Sequence, residues 1–325
     1  MQMTTRAIPT ARSRRSRRSR PIQIVATPGS GNGAAAAVAA RLRETLRAQG
    51  HEVRLDIFPR LQALQRWAAT DSGRISRLIS VGGDGTQSAV AMAAARRSVP
   101  FLPVPAGFGN LFARAFRLGS RVEDVIDLLE RGELVQADVG LQNGEPFLCH
   151  ASFGLLSEVQ ARVEAGRYPQ VRWRRWVEYY RTAVRHIRET PLAALRVVVD
   201  GRVVTHDAVV LTVANVETYG PWLRLTPAAS PVDGLFDVFV MHGATKREVL
   251  AKLLRRHLRV PGTDSGTQVY RGRRVSVVSS GSPRQDLELV PGVLPVLVSP
   301  ETRRAFDQAL VPAGGASPVW HRQPA

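Results

Sequence analysis

The stretch SVGGDGTQSAV, at residues 80–90, constrains the fold more than any other part of this sequence. The apolar run RLISV (77–81) leads into its three glycines, and an alanine-rich run up to Arg97 follows them. Strand, glycine turn and helix in this order are typical of an α/β unit. Free backbone N–H groups and the helix dipole at such a turn form an anion site. The stretch therefore predicts a parallel sheet with a phosphate-binding turn.

The same alternation of strand and helix continues through the first part of the chain. Helices with one apolar face are predicted from about Ala34 to Gly50 and from Val122 to Gly132, and a further helix follows the GGDGT turn up to about Arg97. Strands are predicted at four places: 22–25, 51–58, 77–81 and 99–107. We therefore expect an α/β domain with a Rossmann-like parallel sheet over residues 21–139.

The second part of the chain has a different pattern. Two extended runs flank Asp200-Gly201, a pair typical of a two-residue hairpin turn, and further extended runs follow with helices near 245–258 and 301–310. We expect an antiparallel β-sandwich domain over residues 140–311. The arginine-rich segment 1–20 and the segment 312–325 are predicted to be unstructured.

The net charge of the chain indicates which kinds of molecule it binds. Lysine and arginine total 45 against 27 acids, a net charge of +18, and the first 20 residues hold seven arginines and no acid. Such a balance favours polyanions. We expect the basic tail to contact anionic lipid headgroups. Nucleic acid is the less favoured partner, because nothing that resembles a base-reading module follows the tail.

The cysteine content and the hydropathy of the chain indicate its cellular compartment. The single cysteine, Cys149, excludes a disulfide framework and fits a reducing cytoplasm. No apolar run approaches the roughly 18–20 residues of a membrane-spanning helix, and no signal peptide is recognisable. We expect a cytoplasmic protein, peripheral on the inner face of the membrane. The histidines lack metal-ligand spacing, and His150 is interpreted as a half-buried histidine rather than a catalytic base.

Two glycine loops point to a nucleotide. TPGSGNG (27–33) follows the first strand, and GGDGT (82–86) follows the third. Asp84 would repel a phosphate unless a cation or donor lies between them, so it indicates Mg²⁺ or a hydroxyl partner. The alternative is a tight turn in which Asp84 caps the helix. We expect a nucleoside polyphosphate with its metal.

Other nucleotide motifs are absent or incomplete. No P-loop is present, since both lysines, Lys246 and Lys252, lie far from the glycine loops. GxGxxA at 29–34, with Asp56 25 residues after Gly31, is a partial dinucleotide fingerprint. An NAD(P)-binding enzyme that uses the 27–33 loop is therefore an open alternative.

Several segments together resemble one family in their order. TPGSGNG resembles an NPxSGxG loop, PAGFGNLFARAF (105–116) resembles PxGTxNDFAR, and residues 213–241 share an asparagine, P-x-A and a late Asp-Gly. With GGDGT, these segments are similar to the diacylglycerol kinase catalytic-domain family of bacterial lipid kinases, relatives of sphingosine kinases and NAD kinases. The resemblance covers about residues 21–310.

The resemblance implies a two-domain kinase in which ATP, Mg²⁺ and a lipid meet in the cleft between the domains. Asp84 would be catalytic and would bind metal, and Asp233 would lie near a structural metal in the β-domain. The implied nucleotide-binding residues are Thr27, Ser30, Gly31, Asn32, Gly82, Gly83, Asp84, Gly85, Thr86, Gly107 and Asn110.

The chain also departs from that pattern. Phe108 and Leu111 stand where the family has threonine and an acid, and Ala89 replaces a glutamate. The Asp-Gly-Glu that supplies the general base aligns best with residues 280–282 (Ser-Gly-Ser), although Asp286 and Glu288 lie close by. We therefore expect a lipid kinase-like protein that transfers the ATP γ-phosphate to a diacylglycerol-like hydroxyl, with altered or reduced activity. The other alternative is a non-catalytic regulator on membranes or nucleic acid.

One basic, aromatic segment allows two interpretations. Residues 167–190 place Trp173, Trp176 and Tyr180 on one helical face among seven arginines. The segment is either an inter-domain helix whose aromatic residues reach the core or an interfacial helix at headgroup depth.

Overall fold

A computed structural model describes residues 20–28, 33–70, 73–164, 172–219, 223–258, 266–279 and 281–310. None of the helices in these ranges is long and apolar enough to cross a membrane. The first half of the chain contains β1 (Ile22–Ala26), α1 (Ala34–Ala48), β2 (Val53–Ile57), α2 (Leu61–Thr70), β3 (Arg77–Gly82), α3 (Asp84–Arg97), β4 (Phe101–Pro105), α4 (Leu111–Ala115) and α5 (Val122–Arg131).

The first half is the predicted parallel α/β unit. Strands lie in the order β2-β1-β3-β4, and every pair is parallel. All five residues of β1 are buried, as expected for a strand covered on both faces. Helix α1 buries Leu42 and Leu46 on its sheet-facing side. The Rossmann-like expectation is confirmed, and α2 is a helix that the sequence pattern did not predict.

The second half adds a sandwich of two sheets. Its elements are β5 (Glu133–Gln142), β6 (Glu145–Phe147), β7 (His150–Gly154), α6 (Leu155–Glu164), α7 (Arg172–Glu189), β8 (Leu195–Val199), β9 (Arg202–Ala208), β10 (Val210–Ala214), β11 (Phe236–Met241), α8 (Lys246–His257), β12 (Thr267–Gly272), β13 (Arg274–Ser279), β14 (Gln285–Val298) and α9 (Pro300–Leu310).

The two sheets pack face to face. The antiparallel sheet β12-β11-β10-β7 packs against β8, β13 and the first part of β14 through one apolar core that includes Val197, Val238 and Val277. The other face of the four-stranded sheet is covered by α6, α7 and α8. The predicted antiparallel sandwich is confirmed. At the β8–β9 turn Asp200 and Gly201 both have positive φ, as a two-residue hairpin turn of the predicted kind requires.

Strand β14 joins the two halves. Its first part pairs with β13, its later residue Val296 pairs with Phe101 of β4, and it pairs with β5 along nearly its whole length. The ten-stranded sheet is therefore continuous across both halves. The sequence interpretation placed residues 140–311 together, but Leu294 and Val298 lie in the core of the first half, and β5 runs across the expected boundary at 139/140.

Asp138 holds the junction. This side chain is 1% exposed, and it accepts hydrogen bonds from the backbone N–H groups of Gly234 (2.8 Å) and Gly292 (2.7 Å). Gly292 has positive φ and lies at the irregularity in β14. Burial raises the pKa of Asp138 to about 6, although both amides oppose that shift. The Asp138 side chain thus ties β5 to the turn before β11 and to the irregularity in β14.

A second buried carboxylate lies nearby on β11. Asp237 is 1% exposed and faces Arg271 directly across the β11–β12 pair. Its Oδ2 lies 3.7 Å from Arg271 Nε and has no hydrogen-bond partner among the described residues. Burial raises the pKa of Asp237 to about 7. This carboxyl group is therefore costly to ionise in the folded state.

We predict a pH-dependent stabilisation by Asp237→Asn. Between the ordinary value of 3.8 and a native pKa of about 7, the folded chain keeps a proton that the unfolded chain has released. Wild-type stability therefore falls as pH rises through this window, and asparagine removes that loss. The melting temperature of the variant relative to wild type should rise from pH 5 to pH 7 and then level off. Asp127→Asn, at an exposed position on α5, is the control, and a pH-independent difference for Asp237→Asn would contradict the account.

Candidate functional site

The GGDGT turn lies at the carboxyl edge of the parallel sheet. Gly82 ends β3, Gly83 is the extended N-cap residue of α3, and Asp84 begins the helix. A Cβ atom on Gly82 would lie 2.6 Å from the Thr86 side chain. The first turn of α3 therefore folds back closely over the end of β3, and it leaves backbone N–H groups at the helix N-terminus.

The turn contacts the loop after β4 backbone to backbone. A Cβ on Gly107 would lie 2.4 Å from Gly83 Cα, a separation that packed atoms do not adopt. The N–H of Ala106 donates to the Gly82 carbonyl at 2.9 Å, which ties the two loops together. Two predicted site segments, 82–86 and 107–110, are thus brought into direct contact.

Asn110 shapes the second loop. It adopts a left-handed conformation with φ of 51°, which asparagine tolerates better than most residues. Its Oδ1 accepts from the Gly107 N–H at 2.8 Å, and its Nδ2 donates to the Gly107 carbonyl at 2.9 Å. The predicted residue Asn110 therefore holds Gly107 against Gly83 rather than pointing away from the turn.

Asp84 is oriented through one of its two oxygens. Oδ1 accepts from the Phe112 N–H at 3.1 Å and from the Cys149 thiol at 3.4 Å. Oδ2 has no hydrogen-bond partner within the described ranges, and a Cβ on Gly109 would come within 3.1 Å of it. The carboxylate is held in place and keeps one oxygen available for a ligand.

Thr27 brings the first glycine loop to the same place. Its hydroxyl lies 2.7 Å from that of Thr86, and both residues are buried. The structure thus brings together Thr27, Gly82, Gly83, Asp84, Gly85, Thr86, Gly107 and Asn110. Ser30, Gly31 and Asn32 lie outside the described residues, so their nucleotide role stays a prediction.

Asp233 belongs to a different cluster. It forms an ion pair with Arg271, accepts from the Leu235 N–H at 3.1 Å, and lies close enough to Asp237 to affect its pKa. Burial raises the pKa of Asp233. In the described part of the chain no group of three or more histidine, cysteine or acidic residues is arranged to hold a metal ion. A metal at Asp233 therefore stays a prediction, and an arginine occupies its surroundings here.

Apolar packing explains two of the departures from the family pattern. Ala89 and Leu111 are 8% and 6% exposed and lie in the core of the first half. A carboxylate at either position would have to be buried.

The acids near residues 280–282 are both engaged by arginine side chains. Asp286 accepts from Ser276 Oγ and Arg284 Nε, which lowers its pKa, and Glu288 lies 3.4 Å from Arg274. Neither acid replaces the missing base in this arrangement.

The junction at residues 149–150 places two side chains near Asp84. Burial and the nearby Asp84 carboxylate raise the pKa of the Cys149 thiol, so it stays a protonated donor. The His150 ring packs at a tilt of 42° against Tyr219 with ring centroids 4.5 Å apart, and its Nδ1 is buried without a described hydrogen-bond partner. Burial lowers the pKa of His150 to about 4, so the imidazole is neutral at physiological pH. The position between the two halves was the sequence signal for both.

The sequence patterns did not identify Glu217 as a candidate site residue. A cavity of about 90 Å³ lies between α4 and the chain after β10, and it is lined by Leu111, Arg114, Ala115, Val216, Glu217 and Thr218. Glu217 Oε1 lies 3.2 Å from Arg224. A carboxylate therefore faces the same cavity as Leu111, the position where the family pattern has an acid. No local motif marks Glu217, since the two residues meet only through the fold.

Two family models match adjacent parts of the chain. Residues 21–141 match the diacylglycerol kinase catalytic domain, and residues 150–301 match the YegS C-terminal NAD kinase beta sandwich-like domain. Together they span most of the chain and divide it where Cys149 and His150 lie.

Individual relatives agree with these models. A diacylglycerol kinase of Mycobacterium tuberculosis is 26% identical over 241 residues, 70% of this chain and 75% of that protein. An uncharacterized protein of Synechocystis is 27% identical over 173 residues, 52% of this chain but only 39% of its own length. A diacylglycerol kinase of Staphylococcus saprophyticus is 25% identical over 53% of this chain and 56% of its own length.

A solved structure shows the same fold. A crystal structure from Bacillus anthracis strain Sterne, of a protein provisionally named a diacylglycerol kinase, matches with a TM-score of 0.65 and 17% identity. The match covers 90% of this chain and 99% of that one. The likeness extends over both halves and shows the fold alone.

The contact between the loops predicts a specific sensitivity. Gly107→Ala should abolish the thermal stabilisation that the sequence-predicted binding of Mg²⁺-ATP would give, because the added Cβ forces Gly83 and Gly107 apart. The control is Gly132→Ala, where the added Cβ also meets backbone, 2.4 Å from the Leu128 carbonyl, but at the end of α5. Differential scanning fluorimetry would measure both effects. If Gly107→Ala lowered the melting temperature but kept the full ATP shift, the contact would be structural only.

Proposed function

Because the chain belongs to the diacylglycerol kinase catalytic-domain family, we propose that it binds ATP at the GGDGT turn and transfers the γ-phosphate to a lipid hydroxyl. The acceptor that fits the family best is diacylglycerol-like. One observation carries the proposal: Asp84 is held by Oδ1 beside bare backbone, and its Oδ2 has no partner among the described residues.

The phosphate side consists mainly of backbone. Glycine at 82, 83, 85 and 107 keeps side chains out of the space around the first turn of α3. The N–H groups of that turn and the positive end of the helix dipole favour a polyphosphate. Phosphoryl transfer depends mostly on positioning and charge neutralisation, which a rigid turn of this kind supplies.

The donor set at Asp84 is compatible with Mg²⁺. Magnesium in such sites takes one or two carboxylates, the substrate phosphates and water, and Asp84 Oδ2 provides one carboxylate oxygen. When bound, the ion would neutralise charge on the phosphates. The chain's own part is to fix that oxygen through the Phe112 N–H and the Cys149 thiol.

The acceptor hydroxyl also loses a proton. Glu217 faces the cavity beside α4, where the family's acid at position 111 is missing, and we assign it as the proton acceptor. His150 is neutral and lies at the same junction, where it lines the face of the second sheet. Loss of the family's own base should lower the rate rather than abolish transfer, because a base only assists this reaction.

Both the lipid acceptor and the basic tail place the proposed reaction at a membrane surface. A lipid acceptor requires the protein to work at a bilayer, and we place it on the inner face of the cytoplasmic membrane. Residues 1–19 and the aromatic side chains Trp173, Trp176 and Tyr180 lie outside the described residues. Binding of anionic headgroups by the tail, and an interfacial role for residues 167–190, therefore stay proposals.

The nucleotide proposal predicts that Asp84→Asn weakens ATP binding only when Mg²⁺ is present. Asparagine keeps an oxygen for the Phe112 N–H but removes the charge that attracts the ion. Thermal-shift titrations with ATP, with and without Mg²⁺, and with NAD⁺ would measure the effect, and Asp127→Asn is the control. Stabilisation of the wild type by NAD⁺ and not by ATP would favour the dinucleotide alternative instead.

The catalytic proposal predicts a lower turnover for Glu217→Gln. We expect kcat with radiolabelled ATP to fall by about 10²-fold or more while the KM for ATP stays unchanged, because the residue acts on the acceptor. Diacylglycerol, phosphatidylglycerol and sphingoid bases are the acceptors to assay. ATP binding without transfer to any of them would identify a pseudokinase, and an unchanged kcat would remove Glu217 from the mechanism.

A further inference from the structure

Helix α8 has two unlike sides. Val249 and Leu253 are buried against the four-stranded sheet and its neighbours. The opposite side, here called the α8 outer face, consists of five exposed residues at the spacing of one helical stripe: Arg247, Ala251, Leu254, Arg255 and Leu258. At 100° per residue they fall within an arc of about 100°, over a length of about 17 Å.

The apolar residues of this face are unusually exposed. Leu254 is 52% exposed and Leu258 is 62% exposed, more than any other large hydrophobic side chain in the described ranges. They lie four residues apart, so their side chains are neighbours on the helix. Single exposed leucines are ordinary, but a neighbouring pair on a charged helix is a candidate contact surface.

The charges on the face are all positive. Arg247 and Arg255 have no ion-pair or hydrogen-bond partner among the described residues. Glu248, the acid next to Arg247 in the sequence, is engaged by Lys252 at 2.7 Å and by the Ala244 N–H at 3.0 Å. The face therefore combines exposed aliphatic surface with two uncompensated guanidinium groups.

The helix is held firmly in place. Thr245 caps its N-terminus by accepting from the Glu248 N–H, and Lys246 Nζ donates to the Arg188 carbonyl at the end of α7. Lys252 Nζ donates to the His242 carbonyl at 2.9 Å. The outer face is thus presented in a fixed orientation, without the entropy cost of folding on contact.

We propose that the α8 outer face docks onto an anionic lipid bilayer. Leucines can enter the boundary of the acyl chains while the flanking arginines bind headgroup phosphates, as in interfacial amphipathic helices. A second copy of the chain is disfavoured, because pairing two such faces would bring arginines together. Nucleic acid would leave the leucines unused. The net charge of +18 adds attraction to an anionic surface.

This inference deepens the membrane placement proposed above by naming the surface that makes the contact, and it is tested without nucleotide or acceptor turnover. The probe is sedimentation of the full-length chain with phosphatidylcholine vesicles that contain about one third phosphatidylglycerol, compared with phosphatidylcholine alone. Leu254→Ser/Leu258→Ser removes the apolar part of the face, and Arg247→Glu/Arg255→Glu reverses its charge. Circular dichroism and melting temperature establish that each variant is folded.

Matched controls separate the face from general effects. Ile57→Ser/Leu134→Ser removes two exposed aliphatic side chains from other surfaces, and Arg121→Glu/Arg131→Glu makes the same charge change at the two ends of α5. We expect each α8 variant to lower the partition constant for anionic vesicles about tenfold and each control to change it less than about twofold.

Three outcomes would overturn the inference. The first is binding of both α8 variants equal to wild type, which would assign vesicle binding to the basic tail or to residues 167–190. The second is an equal loss in the α5 charge control. The third is a wild-type dimer, measured by light scattering, that dissociates only in Leu254→Ser/Leu258→Ser. None of these outcomes depends on catalysis. If the kinase assay fails but the α8 variants lose vesicle binding as expected, the docking surface is supported and the proposed function is rejected.

Discussion

The contact between Gly83 and Gly107 is the constraint on which the rest of the site depends. Only two residues without side chains allow the turn after β3 and the loop after β4 to approach this closely. That approach places the N-terminus of α3 beside the Asn110 turn and lets the Phe112 N–H reach Asp84. The free carboxylate oxygen and the bare backbone around it are consequences of this one contact.

The second half of the molecule is fixed relative to this contact by β14 and Asp138. Strand β14 carries the ten-stranded sheet from the sandwich into the first core, and Asp138 secures its irregular turn at Gly292. Cys149, which lies in the first core directly before β7 of the sandwich, then donates to Asp84. The site thus lies at the junction of the two halves, and a variant that loosens the junction should affect the proposed nucleotide binding as well as stability.

Local sequence patterns predicted the helices and strands well, but they did not predict contacts between residues that are distant in the sequence. The parallel strands, the GGDGT turn and the Asp200-Gly201 hairpin follow from apolar periodicity and from the conformations that glycine allows. The pairing of β14 with β4 and the meeting of Glu217 with Leu111 depend on residues more than 100 positions apart, for which one sequence carries no local signal. Ala89 and Leu111 are buried. At both positions the sequence showed that the family's acid is missing, but it did not show that apolar packing takes its place.

Hydrogen exchange measured by mass spectrometry, with and without Mg²⁺-ATP, would show whether one ligand covers both loops. The account predicts that the nucleotide slows exchange in two separate segments at once, residues 82–88 and 106–112, because one ligand covers the contact between Gly83 and Gly107. Protection confined to residues 27–33, or unchanged exchange in both segments at saturating ATP, would contradict it.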